Sequence, residues 1–228
     1  MLTAIIVAAG GSKRVGFDKL LAKIAGRSVI QHTLTAFEKA TCVDEVLVVS
    51  RETVAMRHFI VKTNLRKVRR VVRGGVRRQD SVQAGLNALD NKIEFVAVHD
   101  AARPLITPRE IERVFAAARK HGAAVLAVPI TDTLKLADAN HVVSGSIDRQ
   151  NVFAMQTPQI FRRELLSQAY EQVKRDSVTV TDEVSAIEHA GDKVVIVPAE
   201  DFNLKITYAS DLALAEGILK QRAQAVKS

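Results

Sequence analysis

Leu2-Thr3-Ala4-Ile5-Ile6-Val7-Ala8-Ala9-Gly10-Gly11-Ser12-Lys13-Arg14 opens the chain almost at once, and Lys19 follows a few residues later. The nearly unbroken apolar run has the length of a strand buried on both faces, the kind found in parallel sheets. Ala8, Ala9, Gly10, Gly11 and Ser12 then form a turn of small residues at the strand's carboxyl end. There backbone N–H groups can close around a phosphate, and Arg14 and Lys19 add two cations able to neutralise a polyphosphate. The spacing excludes a G-x-x-x-x-G-K-[ST] loop and a G-x-G-x-x-G dinucleotide turn. A Gly-Gly pair after a strand is commonly a plain turn, so its meaning depends on what the fold places beside it.

Working outward, Val- and Ile-rich runs predict strands at 3–8, 45–49, 69–73, 95–99, 123–129 and 193–198. Apolar residues at helical spacing predict helices at 29–40, 80–89, 108–121, 163–174, 182–189 and 210–225. Strand–helix alternation with nearly continuous apolar strands implies an α/β fold, a mostly parallel sheet flanked by helices on both faces. In such sheets ligands bind outside the carboxyl ends of the strands. That rule brings Gly10, Gly74-Gly75 and Asp100 to one edge although they are far apart in sequence. Residues 131–155 break the alternation: they are polar, contain Gly145 and several β-formers, and carry no long amphipathic helix. They read as a protruding β-arm. A hairpin of that size is marginal alone, so a partner subunit is expected to bury it. No repeat or linker divides the rest, and residues 1–228 are read as one domain with an arm.

Composition narrows the class. The chain has 228 residues, 47% of them hydrophobic but only 4% aromatic, with no Trp, which suits an Ala/Val/Leu-packed α/β core. Cys42 is the one cysteine, so no intramolecular disulfide can form and a reducing, cytoplasmic setting is expected. The short first apolar run lacks the basic flank of a signal peptide and the length of a membrane span. A net charge of +8 points to anionic partners. The run Arg66-Lys67-Val68-Arg69-Arg70-Val71-Val72-Arg73 invites a nucleic-acid reading, but no stacking aromatics are interleaved. A solvated basic face, or attraction of phosphorylated small molecules, explains the surplus as well. Neither nucleic acid nor membrane is expected as a partner.

Phosphoryl chemistry needs neutralised charge and in-line placement more than a nucleophilic side chain, and the chain has that inventory. Gly74-Gly75, followed by Arg78 and Ser81, lies between a strand and a helix as a second backbone-donor turn. His99-Asp100-Ala101-Ala102-Arg103-Pro104 ends another strand, with Asp100 suited to Mg²⁺ or a sugar hydroxyl and Arg103 to a phosphate. Other chemistries fare badly. The six histidines and Cys42 lack zinc-ligand spacing, and Ser12 and Ser81 lack a G-x-S-x-G elbow. His99 is tempting as a base, yet a histidine ending a core strand is more commonly packed and hydrogen-bonded.

These motifs, with Asp148-Arg149, Gln156-Thr157-Pro158-Gln159, Thr181-Asp182-Glu183 and Asn203-Leu204-Lys205-Ile206-Thr207, resemble the 2-C-methyl-D-erythritol 4-phosphate cytidylyltransferases in order along essentially the whole chain. The resemblance implies a nucleotide-diphospho-sugar-transferase-like fold. It also implies CMP transfer from CTP to methylerythritol phosphate with release of pyrophosphate, a step of non-mevalonate isoprenoid precursor biosynthesis. By position, it implies that Arg14 and Lys19 bind the triphosphate and stabilise the transition state, with Mg²⁺ bridging phosphate oxygens and Asp100 as a candidate ligand. It assigns Ala8, Ala9, Gly10, Gly11, Ser12, Gly74, Gly75, Ser81 and Asp100 to CTP. Asp100, Arg103, Arg149, Thr157, Thr181 and Lys205 go to the acceptor. In the family the arm swaps between subunits, so a homodimer with arm exchange and shared sites is implied, Arg149 and Thr181 entering the neighbour's site.

Three departures stand out: Ser12 where a Gly is usual, a shortened Arg14–Lys19 stretch with Asp18 before the lysine, and Val76 in place of an acidic residue. A ribitol 5-phosphate cytidylyltransferase shares the loop and Gln-Thr-Pro-Gln. The Asp100–Arg103, Asp148-Arg149 and Thr181-Asp182-Glu183 set favours methylerythritol phosphate. A basic nucleic-acid-binding protein without turnover is the remote reading of another class.

Overall fold

A computed structural model describes residues 1–10 and 19–225. Gly11, Ser12 and Arg14, and the shortened stretch before Lys19, lie outside the described residues. The chain begins with β1 (Leu2–Val7), a short hairpin of β2 (Lys23–Ile24) and β3 (Arg27–Ser28), and α1 (Val29–Lys39). It continues through β4 (Glu45–Ser50), α2 (Thr53–Val61), β5 (Val68–Arg73), α3 (Arg78–Asn87), β6 (Phe95–Asp100), α4 (Pro108–His121) and β7 (Ala123–Pro129). Then come β8 (Leu134–Ala137), β9 (Val143–Ile147), β10 (Phe153–Arg162), α5 (Arg163–Arg175), α6 (Glu183–His189), β11 (Val195–Pro198) and α7 (Ser210–Ala225).

Seven strands form one sheet in the order β11-β7-β10-β6-β1-β4-β5. Its strands run parallel except β10, which is antiparallel to both neighbours. β1 is an interior strand, beside the central β6, and is buried on both faces. Leu2, Ala4 and Ile6 join the core beneath α1 and α4, while Ile5 faces the other core beneath α3 and α5. Each such Leu or Ile, wholly removed from water, contributes about 1.5–3 kcal/mol, and the two-sided burial fixes β1 in register.

Local chemistry sets the helix ends. Ser28 Oγ accepts the Gln31 N–H at 3.3 Å at the start of α1, and Thr107 Oγ1 accepts the Glu110 N–H at 3.2 Å before Pro108 opens α4. Gly122 ends α4 with φ 88°, and its N–H reaches the Ala118 carbonyl at 2.7 Å.

Three features escaped the sequence pattern. β10 carries Pro158, which argues against a strand, but the proline sits where the pairing register with β7 shifts between Met155 and Gln159. α2 buries only Met56 and Ile60 and leaves Val54 and Val61 exposed, so its apolar face is thin. Residues 153–155, read from sequence with the arm, pair with Pro129, Val128 and Ala127 of β7. The hairpin itself is β8 with β9, a separate two-stranded sheet on which Leu136, Val143 and Ile147 are exposed.

Candidate active site

A cavity of about 220 Å³ opens at the carboxyl edge where β1, β4, β5 and β6 end. Val7, Ala8, Ala9 and Gly10 from the first turn line it, with Lys19, Arg51, Arg77, Arg78 and Lys205 as cations and Asp100 as the acid. That cation surplus fits a polyphosphate.

The Gly74-Gly75 turn works by close approach. A Cβ on Gly74 would lie 2.4 Å from Ala9 Cβ and 2.9 Å from Ser81 Oγ, so glycine lets the second turn press against the first. The backbone N–H groups of this pair, expected to serve a ligand, are engaged within the protein. Gly74 N–H bonds the Ser50 carbonyl at 3.1 Å, and Gly75 N–H bonds Ser81 Oγ at 3.1 Å. Ser81 in turn donates to the Arg77 carbonyl at 3.1 Å. The turn therefore supplies shape, one donor being committed to the end of β4 and the other to the first turn of α3.

Asp100 is the hub. Lys205 Nζ donates to its Oδ2 at 2.6 Å, Arg78 Nε donates to Oδ1 at 3.2 Å, and Arg103 Nε lies 3.9 Å away. Burial by itself would raise the Asp100 pKa, but Arg78, Lys205 and Arg103 outweigh it and hold the carboxyl well below the usual carboxylate range. It is charged at every physiological pH. Arg78 also forks onto Glu183, Nη1 to Oε1 at 2.7 Å and Nη2 to Oε2 at 2.9 Å. Burial opposes its charge, yet Glu183 and Asp100 raise its pKa further above the ordinary arginine value.

His99 is fully buried and engaged at both nitrogens. Its Nε2 lies 3.4 Å from the Arg103 carbonyl, an acceptor only, so Nε2 carries the proton and Nδ1 accepts from Thr157 Oγ1 at 3.1 Å. Thr157 Oγ1 meanwhile accepts the Asp100 N–H at 3.1 Å. Burial pushes the His99 pKa down to about 3, only partly countered by Asp100, so the ring stays neutral. The relay fixes the Asp100 backbone and leaves His99 no role as a base. It also commits the Thr157 hydroxyl inside the protein.

Arg103 is a buried cation only partly compensated by Asp100. Its Nη1 donates to the Asn203 carbonyl at 2.7 Å, while its buried Nε has no hydrogen-bond partner among the described residues. Burial lowers its pKa, and Asp100 only partly restores it. Asn203 is anchored by Nδ2 to the Thr157 carbonyl at 2.8 Å and to Gln156 Oε1 at 3.0 Å, and Lys19 Nζ donates to the Ile206 carbonyl at 3.0 Å. Residues 203–206 thus cross the site's wall and bring Lys205 to Asp100.

Of the residues singled out from sequence, Ala8, Ala9, Gly10, Lys19, Ser81, Asp100 and Lys205 line one cavity. Gly74 and Gly75 back it, and Arg103 and Thr157 pack around Asp100. Arg149 and Thr181 stand apart: Arg149 lies on the arm and bonds the Thr131 carbonyl, and Thr181 is exposed before α6. Arg51 and Arg77 escaped the motif reading. Arg51 follows β4 directly, so the strand-end rule applied to every strand finds it. It reaches the Val76 carbonyl at 3.4 Å.

The fit to a resident divalent ion is poor. Among the described residues no cluster of three His, Cys, Asp or Glu side chains is arranged to hold a metal. Asp100 is crowded by cations, and Glu183 is taken up by Arg78.

The sequence matches the family described as IspD: 2-C-methyl-D-erythritol 4-phosphate cytidylyltransferase over residues 2–221. The chain belongs to this family. A relative of that name from Shouchella clausii is 40% identical over 223 residues, covering 96% of each chain. One from Alkaliphilus metalliredigens is 38% identical over 226 residues, 97% of this chain and 94% of that protein. Among solved structures, 4-diphosphocytidyl-2C-methyl-D-erythritol synthase from Anaerococcus prevotii superposes with a TM-score of 0.85 at 30% identity, covering 96% of this chain and 98% of that one. The Thermus thermophilus 2-C-methyl-D-erythritol 4-phosphate cytidylyltransferase gives 0.79 at 30% identity, covering 95% and 98%. The nucleotide-diphospho-sugar-transferase-like architecture is thus that of the cytidylyltransferase family, and the relatives' names favour methylerythritol phosphate over ribitol phosphate as acceptor.

Proposed function

We propose that this site transfers CMP from CTP to 2-C-methyl-D-erythritol 4-phosphate, giving the CDP-alcohol and pyrophosphate for isoprenoid precursor biosynthesis. The observation that carries the reading is the buried Arg103, whose Nε makes no hydrogen bond and lies 3.9 Å from Asp100 Oδ2, with Lys205 on the same carboxylate at the edge of a cation-lined cavity. A dianionic phosphate monoester supplies the compensation this cation lacks. Asp100, held charged, accepts from a hydroxyl of the polyol or ribose. The Ala8–Gly10 turn, against which Gly74 packs, supplies the wall on which the pyrimidine nucleotide rests.

A monoester oxygen is already anionic, so no general base is required. It attacks the α-phosphorus in line, and the bond to the β-phosphate oxygen breaks, releasing pyrophosphate. Lys19, with Arg14 joining it by sequence position, neutralises charge developing on the phosphoryl oxygens. A divalent cation, if carried in by the triphosphate, would be held by the phosphate oxygens and would supply further charge neutralisation there.

We further propose a homodimer with exchanged arms, working in the cytoplasm. The exposed apolar residues of β8 and β9 and the place of Arg149 on the arm, outside the lining of its own cavity, support the exchange. No helix among the described residues is long and apolar enough to cross a membrane. The test is pyrophosphate release with CTP and Mg²⁺, offering methylerythritol phosphate and ribitol 5-phosphate in parallel. Release with the first supports the reading. Release only with the second replaces the acceptor, and silence with both rejects the reaction.

A further inference from the structure

Glu183 is wholly buried at the start of α6, and it does not line the cavity. Gln159 Oε1 accepts both the Glu183 N–H, at 3.1 Å, and the Val184 N–H, at 3.2 Å. Asp182 caps the helix by accepting the Ser185 N–H at 3.0 Å. The carboxylate is therefore fixed from its own backbone. On its other side, Oε1 accepts the Tyr170 hydroxyl at 2.9 Å as well as Arg78 Nη1 at 2.7 Å, and Oε2 accepts Arg78 Nη2 at 2.9 Å. Tyr170 comes from α5 and is itself 3% exposed, so two helices meet on this one group.

The consequence lies at Asp100. A guanidinium can fork onto a carboxylate end-on through Nη1 and Nη2 or side-on through Nε and one Nη, and Glu183 takes the end-on pair, which sets the angle at which Arg78 meets Asp100. Arg78 then offers Asp100 only Nε, at 3.2 Å on Oδ1, while Lys205 takes Oδ2. A carboxylate has about four lone-pair sites, so acceptor capacity on Asp100 remains for a ligand hydroxyl. Without Glu183, the freed fork of Arg78 would turn onto Asp100 and close it with a bidentate pair.

We propose that Glu183, steadied by Tyr170, is a positioning residue that keeps Arg78 from saturating Asp100 and so keeps the polyol-binding carboxylate open. The inference rests on the proposed reaction and deepens it by naming what sets the affinity for a hydroxylated acceptor. Glu183 touches no substrate, and its effect passes through Arg78.

The test compares Glu183→Gln and Tyr170→Phe with the unmodified enzyme in steady-state kinetics, with thermal unfolding measured alongside. Glu183→Gln keeps the size and the acceptor for Tyr170 but weakens the hold on the fork. Its KM for the phosphorylated polyol should rise about 10-fold, as expected for a lost coupled contact, while kcat moves less than about 3-fold. Tyr170→Phe, which removes one hydroxyl, should shift KM the same way by less. In an Asp100→Asn background, polyol binding measured by calorimetry should no longer respond to Glu183→Gln, because the carboxylate to be kept open is gone. An unchanged KM in folded Glu183→Gln overturns the proposal, as does a binding penalty that persists undiminished in Asp100→Asn. If Glu183→Gln does not fold, Tyr170→Phe decides by the same KM criterion. An unmodified enzyme that fails to turn over marks the failure of the reaction, whereas a working enzyme with an indifferent variant marks the failure of this inference.

Discussion

Replacing His99 by asparagine should flatten the acid limb of the stability curve. The imidazole is fully buried, its Nε2–H on the Arg103 carbonyl and its Nδ1 on Thr157. Burial lowers its pKa from 6.5 to about 3. Below pH 6.5 the unfolded chain therefore takes up a proton at this position that the folded chain refuses. Stability is fully present above 6.5 and is lost as pH falls toward about 3. The slope approaches about 1.4 kcal/mol per pH unit, so lowering the pH from about 7 to about 5 should remove about 2 kcal/mol through this residue alone.

His99→Asn has no group to protonate there. It costs stability at neutral pH through the lost relay and the lost packing on Phe37, whose ring centroid is 4.9 Å away. Urea unfolding of both proteins at one concentration and at the two pH values isolates the histidine. The gap between them should narrow by about 2 kcal/mol on acidification, every other titrating group being common to both. Parallel stability curves would refute the assignment of a neutral, inaccessible His99.

Gly74→Ala forces a Cβ to within 2.4 Å of Ala9 Cβ. It should cost roughly 1–3 kcal/mol by overpacking, seen as a lower Tm, and should raise KM for CTP by moving the first turn; an unchanged Tm and KM would refute the close-approach role. Lys19→Ala should lower kcat by about 10²–10³-fold, as for removal of a donor to developing phosphoryl charge, in protein whose unfolding curve is unchanged; near-normal kcat would remove that role. Arg149→Ala and Lys205→Ala, each inactive alone, should regain activity when mixed under conditions of subunit exchange, since one site of the mixed dimer carries neither substitution. No recovery despite verified exchange would argue against a shared site.

Much of the framework was legible because β1, β4, β6 and β7 are nearly continuous apolar strands, and burial on both faces leaves little other use for them. β10 was hidden because it carries Pro158 at a register shift, and α2 because two buried residues make too weak a stripe. At the site, small residues and cations at strand ends announced themselves, and the carboxyl-edge rule gathered Gly10, Gly74 and Asp100. Order along the chain was enough to specify the family.

Tertiary structure alone decided which groups are available for chemistry. The Gly74 and Gly75 N–H groups are committed to Ser50 and Ser81, and the Thr157 hydroxyl to His99. Arg78 and Glu183, 105 positions apart, form a partly buried pair that spacing could not suggest. The physical reason is that periodicity reports which face of an element is apolar, a property of neighbouring residues. Hydrogen-bond commitment and charge compensation depend on which distant elements meet, and only the folded chain brings them within 3 Å.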